Sequence, residues 1–90
     1  MEEDLWVLES ICYNPSDLDK SGRIWNGTCN IFGKRMSNGK EDTTINMGEF
    51  EYNPTTNKIR FNKFYNGDYT QYEKEWLAKD LAKQLVELKK

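Results

Sequence analysis

Apolar positions along this chain recur with a period of two for most of its length and change to a helical period near the end. From Asp4 to Tyr13 the pattern predicts a first strand, with Leu5, Val7 and Ile11 on one side and Trp6, Leu8 and Cys12 on the other. Asn14 to Ser21, carrying Pro15, Asp17, Asp19 and Ser21, reads as a loop, and Gly22 to Arg35 reads as a long second strand bent or bulged at Gly27 and Gly33. Ser37-Asn38-Gly39-Lys40 is a hairpin signal, because Asn-Gly accepts the positive φ that a type I′ turn needs at both central positions. A third strand is predicted over Thr43 to Tyr52. Its inward set changes from Ile45 and Met47 to Phe50 and Tyr52 across Gly48, which points to a bulge there. Asn53-Pro54-Thr55-Thr56-Asn57 supplies the next turn, with Asn57 suited to a left-handed conformation, and Lys58 to Tyr65 returns as the fourth strand.

Beyond Asn66-Gly67-Asp68, Thr70 and Glu73 form a T-x-x-E capping box at the head of a helix running to about Leu88. Leu77, Leu81, Leu85 and Leu88 fall on one stripe with Ala78 and Ala82 beside them, and Lys89 and Lys90 end the chain where positive charge favours the helix dipole. The order β-β-β-β-α predicts an α+β fold, a four-stranded antiparallel meander with one C-terminal helix packed on the sheet. A helix about 10 Å across cannot cover both faces of four strands spaced roughly 4.8 Å apart. Yet the first strand, Ile31 with Phe32, and Phe64 with Tyr65 place apolar side chains on both faces. The second face is therefore expected to curl into a half-barrel, to meet a second copy in a symmetric homodimer, or to receive a partner protein.

Ninety residues, 37% hydrophobic and 31% charged, fit a single globular domain spanning 1–90. So short a chain buries only about 60% of its unfolded surface, and its three Trp, five Tyr and four Phe are expected to form most of the core. No apolar run of roughly 18 residues occurs, and Glu2, Glu3 and Asp4 stand where a signal peptide would be basic and then apolar, so the expectation is a cytoplasmic protein with no membrane partner.

The absence of histidine removes the commonest general base and metal ligand, and with it the serine and cysteine triads. Cys12 and Cys29 fall on neighbouring predicted strands and read as reduced core residues rather than a disulfide or half a zinc site. The carboxylates crowd a terminus, a loop and a helix exterior, with no pair set to face across a cleft. Neither enzymatic activity nor a cofactor is expected.

Asp17-Leu18-Asp19-Lys20-Ser21-Gly22-Arg23-Ile24 resembles the first eight positions of an EF-hand calcium loop, but position twelve is Thr28 where a bidentate glutamate is needed, so no tight metal site is expected. Asn26-Gly27-Thr28 fits the glycosylation sequon, a pattern too common to weigh without a secretory signal.

Charge is segregated. Residues 1 to 19 hold six acids and no base, whereas residues 20 to 40 hold Lys20, Arg23, Lys34, Arg35 and Lys40 and no acid; the fourth strand adds Lys58, Arg60 and Lys63. Strands pairing in sequence order would set the acidic first strand against the basic second. With surplus aromatics flanked by charge, the chain reads as a small non-enzymatic module that binds a larger protein. Trp6, Trp25 and Tyr65 are the candidate anchors and Arg23, Arg35 and Arg60 their charged neighbours, although burial in the domain's own core competes for each tryptophan. In general style, compact and asparagine-rich, the chain is similar to many small phage-encoded or mobile-element proteins that bind and inhibit host machinery, which implies an inhibitor. The alternative is a single-stranded nucleic-acid-binding module using the basic second and fourth strands, which a pI near 5.1 and the lack of an RNP-type motif oppose.

Overall fold

The computed structural model describes the backbone of residues 5–37 and 39–89, and side chains over 7–35 and 39–88. Four strands, β1 (Leu5–Tyr13), β2 (Trp25–Ser37), β3 (Lys40–Asn53) and β4 (Lys58–Phe64), pair antiparallel in the order β1-β2-β3-β4, followed by helix α1 (Gln71–Val86) and a 3-10 turn over Glu87–Lys89. This is the α+β meander that the hydrophobic pattern predicts. The second strand begins at Trp25 rather than Gly22, because residues 21–24 bend while Asp19 bridges Asn26.

Both tight turns form where their chemistry places them. Ser37 pairs with Lys40 and Gly39 has φ +75°; Asn38, its partner in the predicted turn, lies outside the described residues. Asn57 adopts φ +61°, its N–H donates to the Asn53 carbonyl at 2.7 Å, and the Asn53 side chain accepts from the N–H groups of Thr55 and Thr56. At the helix head the capping box closes: Thr70 Oγ1 accepts from the Glu73 N–H and Glu73 Oε1 accepts from the Thr70 N–H.

Leu77, Leu81, Ala82 and Leu85 of α1 sink into one face of the sheet, against Ile11, Cys29, Ile31, Phe50, Tyr52 and Tyr69. Aliphatic side chains thus hold the centre with three aromatic rings, and the remaining rings divide between its margin and the surface, contrary to the expectation of a mainly aromatic core. The stripe ends at Leu85; Leu88, predicted to continue it, is exposed in the terminal 3-10 turn. The dipole contribution expected of Lys89 and Lys90 falls on side chains outside the described ones.

Two bulges set which residues face the helix, and neither lies at Gly48. In β1, Leu8 pairs with Gly33 and Ser10 with Phe32, leaving Glu9 as the extra residue. The insertion brings Leu8, Ile11 and Tyr13 to the core and turns Val7 and Cys12 the other way, which corrects the predicted sides of the first strand. In β4, Lys63 pairs with Glu49 and Phe61 with Phe50, so Asn62 is the extra residue and Ile59, Phe61 and Phe64 all reach the core. β3 keeps one phase throughout: Asn46, Gly48, Phe50 and Tyr52 are buried while Ile45 and Met47 are exposed. The expected change of phase does not occur, because Ile45 and Met47, though apolar, are exposed.

Gly27 sits in regular pairing rather than at a bend, whereas Gly33, regular against β3, stands opposite the β1 bulge as the partner of Leu8. The role of Gly27, and of Gly48, is space. A Cβ at Gly48 would lie 3.1 Å from both the Lys63 carbonyl oxygen and the Phe64 ring, and one at Gly27 would meet Phe50 and Leu18 at 3.1 Å. Rings packed over strand glycines form the second tier of the core: Phe64 stands 4.7 Å from Tyr69 edge-on and 5.3 Å from Phe61, and Trp25 stands 5.4 Å from Tyr52.

Cys29 is wholly buried and Cys12 half-buried on the opposite face, so the two thiols are free, and only Cys29 is the core residue expected of both. Burial pushes the Cys29 thiol up to about 12.

Three expected outcomes follow from this packing. Gly48→Ala should cost about 1–3 kcal/mol in urea denaturation, because the added methyl meets backbone on one side and an aromatic ring on the other. Because the folded state favours the protonated Cys29 thiol, its contribution is complete below the ordinary value of 9.0 and is lost as pH rises from there towards about 12. Burial also raises the Tyr69 hydroxyl, which acts in the same sense. Denaturation midpoints should accordingly fall above pH 9, and iodoacetamide should modify Cys12 in the folded protein but Cys29 only after unfolding.

Candidate functional site

The helix covers one face of the sheet; the other has no layer over it among the described residues. The open face is built by the opposite parity of each strand, and its apolar members run obliquely from β1 through β2 and β3 to the residue that follows β4. Val7 of β1 is 56% exposed, Ile45 and Met47 of β3 are 58% and 41% exposed, and Tyr65 just beyond β4 is 46% exposed, with the half-buried Phe32 of β2 between Ser10 and Ile45. Tyr65 is joined to the sheet by its N–H, which donates to the Met47 carbonyl at 2.9 Å. The half-barrel alternative is therefore not realised.

Charged groups frame this strip in pairs of opposite sign. At one end Lys34 Nζ lies 2.7 Å from Glu41 Oε1, and that contact, supported by Glu9, holds the lysine above its ordinary value. At the other end Glu49 pairs in register with Lys63 and Glu51 with Arg60. Lys63 also stands 4.6 Å from the Tyr65 ring centroid, while the Tyr65 hydroxyl donates to Glu49, a bond that raises the tyrosine's own titration. The acids that meet the basic strands are thus those of β3, not chiefly those of β1 as segregation along the chain suggested. Glu2, Glu3 and Asp4 lie outside the described residues.

The candidate anchors do not converge. Tyr65 and Arg60 share the open face, Arg60 beside Glu51. Trp25 belongs to the helix-covered face, half-buried against Tyr52 with Lys20 Nζ 5.7 Å from its ring centroid, so the competing role in the domain's own core prevails. Arg23 is exposed in the loop before β2. Arg35 pairs in register with Asp42 and Trp6, on the arm of the β2–β3 hairpin beyond the helix; the Trp6 side chain lies outside the described ones.

Arg35 also lines a cleft of about 460 Å³ with Ile45, Asn46 and the 66–69 segment. Its floor is the buried Asn46, whose Nδ2 donates to the Tyr69 hydroxyl at 3.0 Å and whose Oδ1 accepts from the Asn66 N–H at 2.8 Å, so the floor's polar groups are mutually satisfied.

Residues 17–24 do not take the form of a calcium loop. Asp17 Oδ2 accepts from the Thr28 hydroxyl at 3.0 Å, and Asp19 Oδ1 accepts from the Ser21 N–H at 2.9 Å; hydrogen bonds from Ser21 hold the Asp19 carboxyl below its usual value. Among the described residues no three Cys, Asp or Glu side chains converge as a metal would require, and no helix is long and apolar enough to cross a membrane.

Sequence reasoning missed two kinds of surface residue. Hydrophobicity assigns Ile45 and Met47 to the core, although their even partners Asn46 and Gly48 alternate with them just as well. Tyr72 and Trp76 form a four-residue step on the outer side of α1, Tyr72 being 79% exposed, and their displacement from the Leu77-Leu81-Leu85 stripe was the available signal. Comparison with protein-family models, curated proteins and solved structures gives no match for this chain.

Proposed function

We propose that the chain is a non-enzymatic protein-binding module whose contact surface is the open sheet face, and that by occupying a surface of a larger protein it acts as an inhibitor. The observation that supports this reading is the strip Val7, Phe32, Ile45, Met47 and Tyr65: apolar, drawn from β1, β2, β3 and the residue that follows β4, and rimmed by charges of both signs. Interfaces of modest size have this composition, an apolar centre within a polar rim. A partner laid on the strip would remove it from water and keep the Lys34–Glu41 and Glu49–Lys63 pairs at the margin. Arg60 is the rim residue best placed to add directional contacts, and Tyr65, Met47 and Ile45 the ones best placed to be enclosed.

The nucleic-acid alternative is less well supported, because Glu41, Asp42, Glu49 and Glu51 of β3 stand between the basic residues of β2 and those of β4, so no continuous positive track runs across the sheet.

The test uses the intact chain, an Ile45→Lys/Met47→Lys pair and a Tyr72→Ala control in nuclease-treated pulldowns from the organism that encodes it. Exposed substitutions of this kind should shift stability by no more than about 0.5 kcal/mol each. A stoichiometric protein retained by the intact chain and the control, but bound at least tenfold more weakly by the pair, a loss of about 1.4 kcal/mol, supports the open face. A partner retained equally by all three forms, or recovery of nucleic acid in place of protein, overturns it.

A further inference from the structure

Two Asn-Gly steps fall within the described residues, Asn26-Gly27 and Asn66-Gly67, and the fold treats them oppositely. Asn26 is the second residue of β2. Its N–H and carbonyl are both bonded to Asp19, at 3.0 and 2.7 Å, its side-chain Nδ2 donates to the Ile24 carbonyl at 3.4 Å, and Gly27 is pinned beneath the Phe50 ring. Asn66-Gly67 lies between β4 and α1, outside both, and is exposed. Gly67 has φ +124° with nothing within 4 Å of where a Cβ would stand, and the Asn66 N–H to Asn46 is the only hydrogen bond of either residue among the described ones.

We propose that Asn66 is a site of spontaneous deamidation in the folded protein. The deprotonated backbone nitrogen of Gly67 attacks Cγ of Asn66; the new N–Cγ bond closes a succinimide, and the Cγ–Nδ2 bond breaks with release of ammonia. Water then opens either carbonyl of the ring to give isoaspartate or aspartate, so the balance is asparagine plus water to acid plus ammonia. Ring closure needs the asparagine ψ to leave the extended range and the next N–H to be free. A ladder strand forbids the first, and the 66–67 step meets no such constraint. The missing Cβ at Gly67 clears the path of attack.

The product matters locally. Isoaspartate adds a methylene to the main chain between the Asn46 anchor and Tyr69, and either acid sets a carboxylate two residues from Asp68 on the lip of the cleft that Arg35 lines.

The experiment is incubation of the folded protein in mildly alkaline buffer at physiological temperature, followed by peptide mapping and by enzymatic methylation specific for isoaspartyl carboxylates. The peptide holding Asn66 should gain about one mass unit and accept methyl groups, while the Asn26 peptide stays unchanged. In denaturant both should convert at similar rates. Asn66→Ser, which removes no side-chain hydrogen bond, should fold with an unchanged midpoint and abolish the signal from this peptide. Absence of conversion at Asn66 in the folded protein, or conversion of Asn26 at an equal rate, overturns the proposal.

Discussion

A single amphipathic helix has one apolar stripe, and a sheet has two faces; the architecture is governed by that inequality. Leu77, Leu81 and Leu85 each contribute about 1.5–3 kcal/mol by leaving water, but only on the side where α1 lies. Every strand must therefore deliver its larger residues to that side. β2 and β3 do so by simple alternation. The outer strands cannot, and each spends one extra residue, Glu9 or Asn62, to bring Leu8 with Ile11 and Phe61 with Phe64 onto the same face. Gly27 and Gly48 answer a related demand, since rings as large as Phe50 and Phe64 fit under one helix only where a neighbouring strand lacks a side chain.

The same inequality leaves the second face to be stabilised by the strands alone. Its charges are arranged across the ladder, Lys34 with Glu41, Lys63 with Glu49, Arg60 with Glu51, so the field over this face alternates over short distances. Pairs so exposed contribute little to stability. Their effect is on solubility and register: a slip of one residue would part Lys63 from Glu49 and Arg60 from Glu51 as well as turn the core outward.

Much of the fold was legible because local chemistry and global arrangement agree. The Asn-Gly step before Lys40, the Asn53-to-Asn57 turn and the Thr70–Glu73 box each require a backbone geometry that few sequences supply, and Gly39, Asn57 and Thr70 adopt it. Facing was less legible. A bulge shifts parity without any residue type that announces it, and in β3 an Asn and a Gly are buried while Ile45 and Met47 are not, so hydrophobicity pointed the wrong way. Asn46 is inside because the Asn66 N–H and the Tyr69 hydroxyl meet it there, contacts made by segments twenty and more residues away. The candidate site failed to converge for the same reason: Trp25 and Tyr65 look alike as aromatics beside basic residues, and only strand parity sends one inward and the other out.

The bulges have a second consequence, at the borders of the sheet. Antiparallel sheets commonly grow by accepting another strand along an unpaired edge. On β1 the ladder breaks at Glu9, and beyond it the Ile11 carbonyl is taken by Gln84 Nε2 at 2.6 Å. On β4 it breaks at Asn62, among Lys58, Arg60 and Lys63. Neither border offers an uninterrupted row of donors and acceptors to an incoming chain. Association is thereby steered away from strand addition, the route that leads to open-ended polymers, and towards contacts made broadside on.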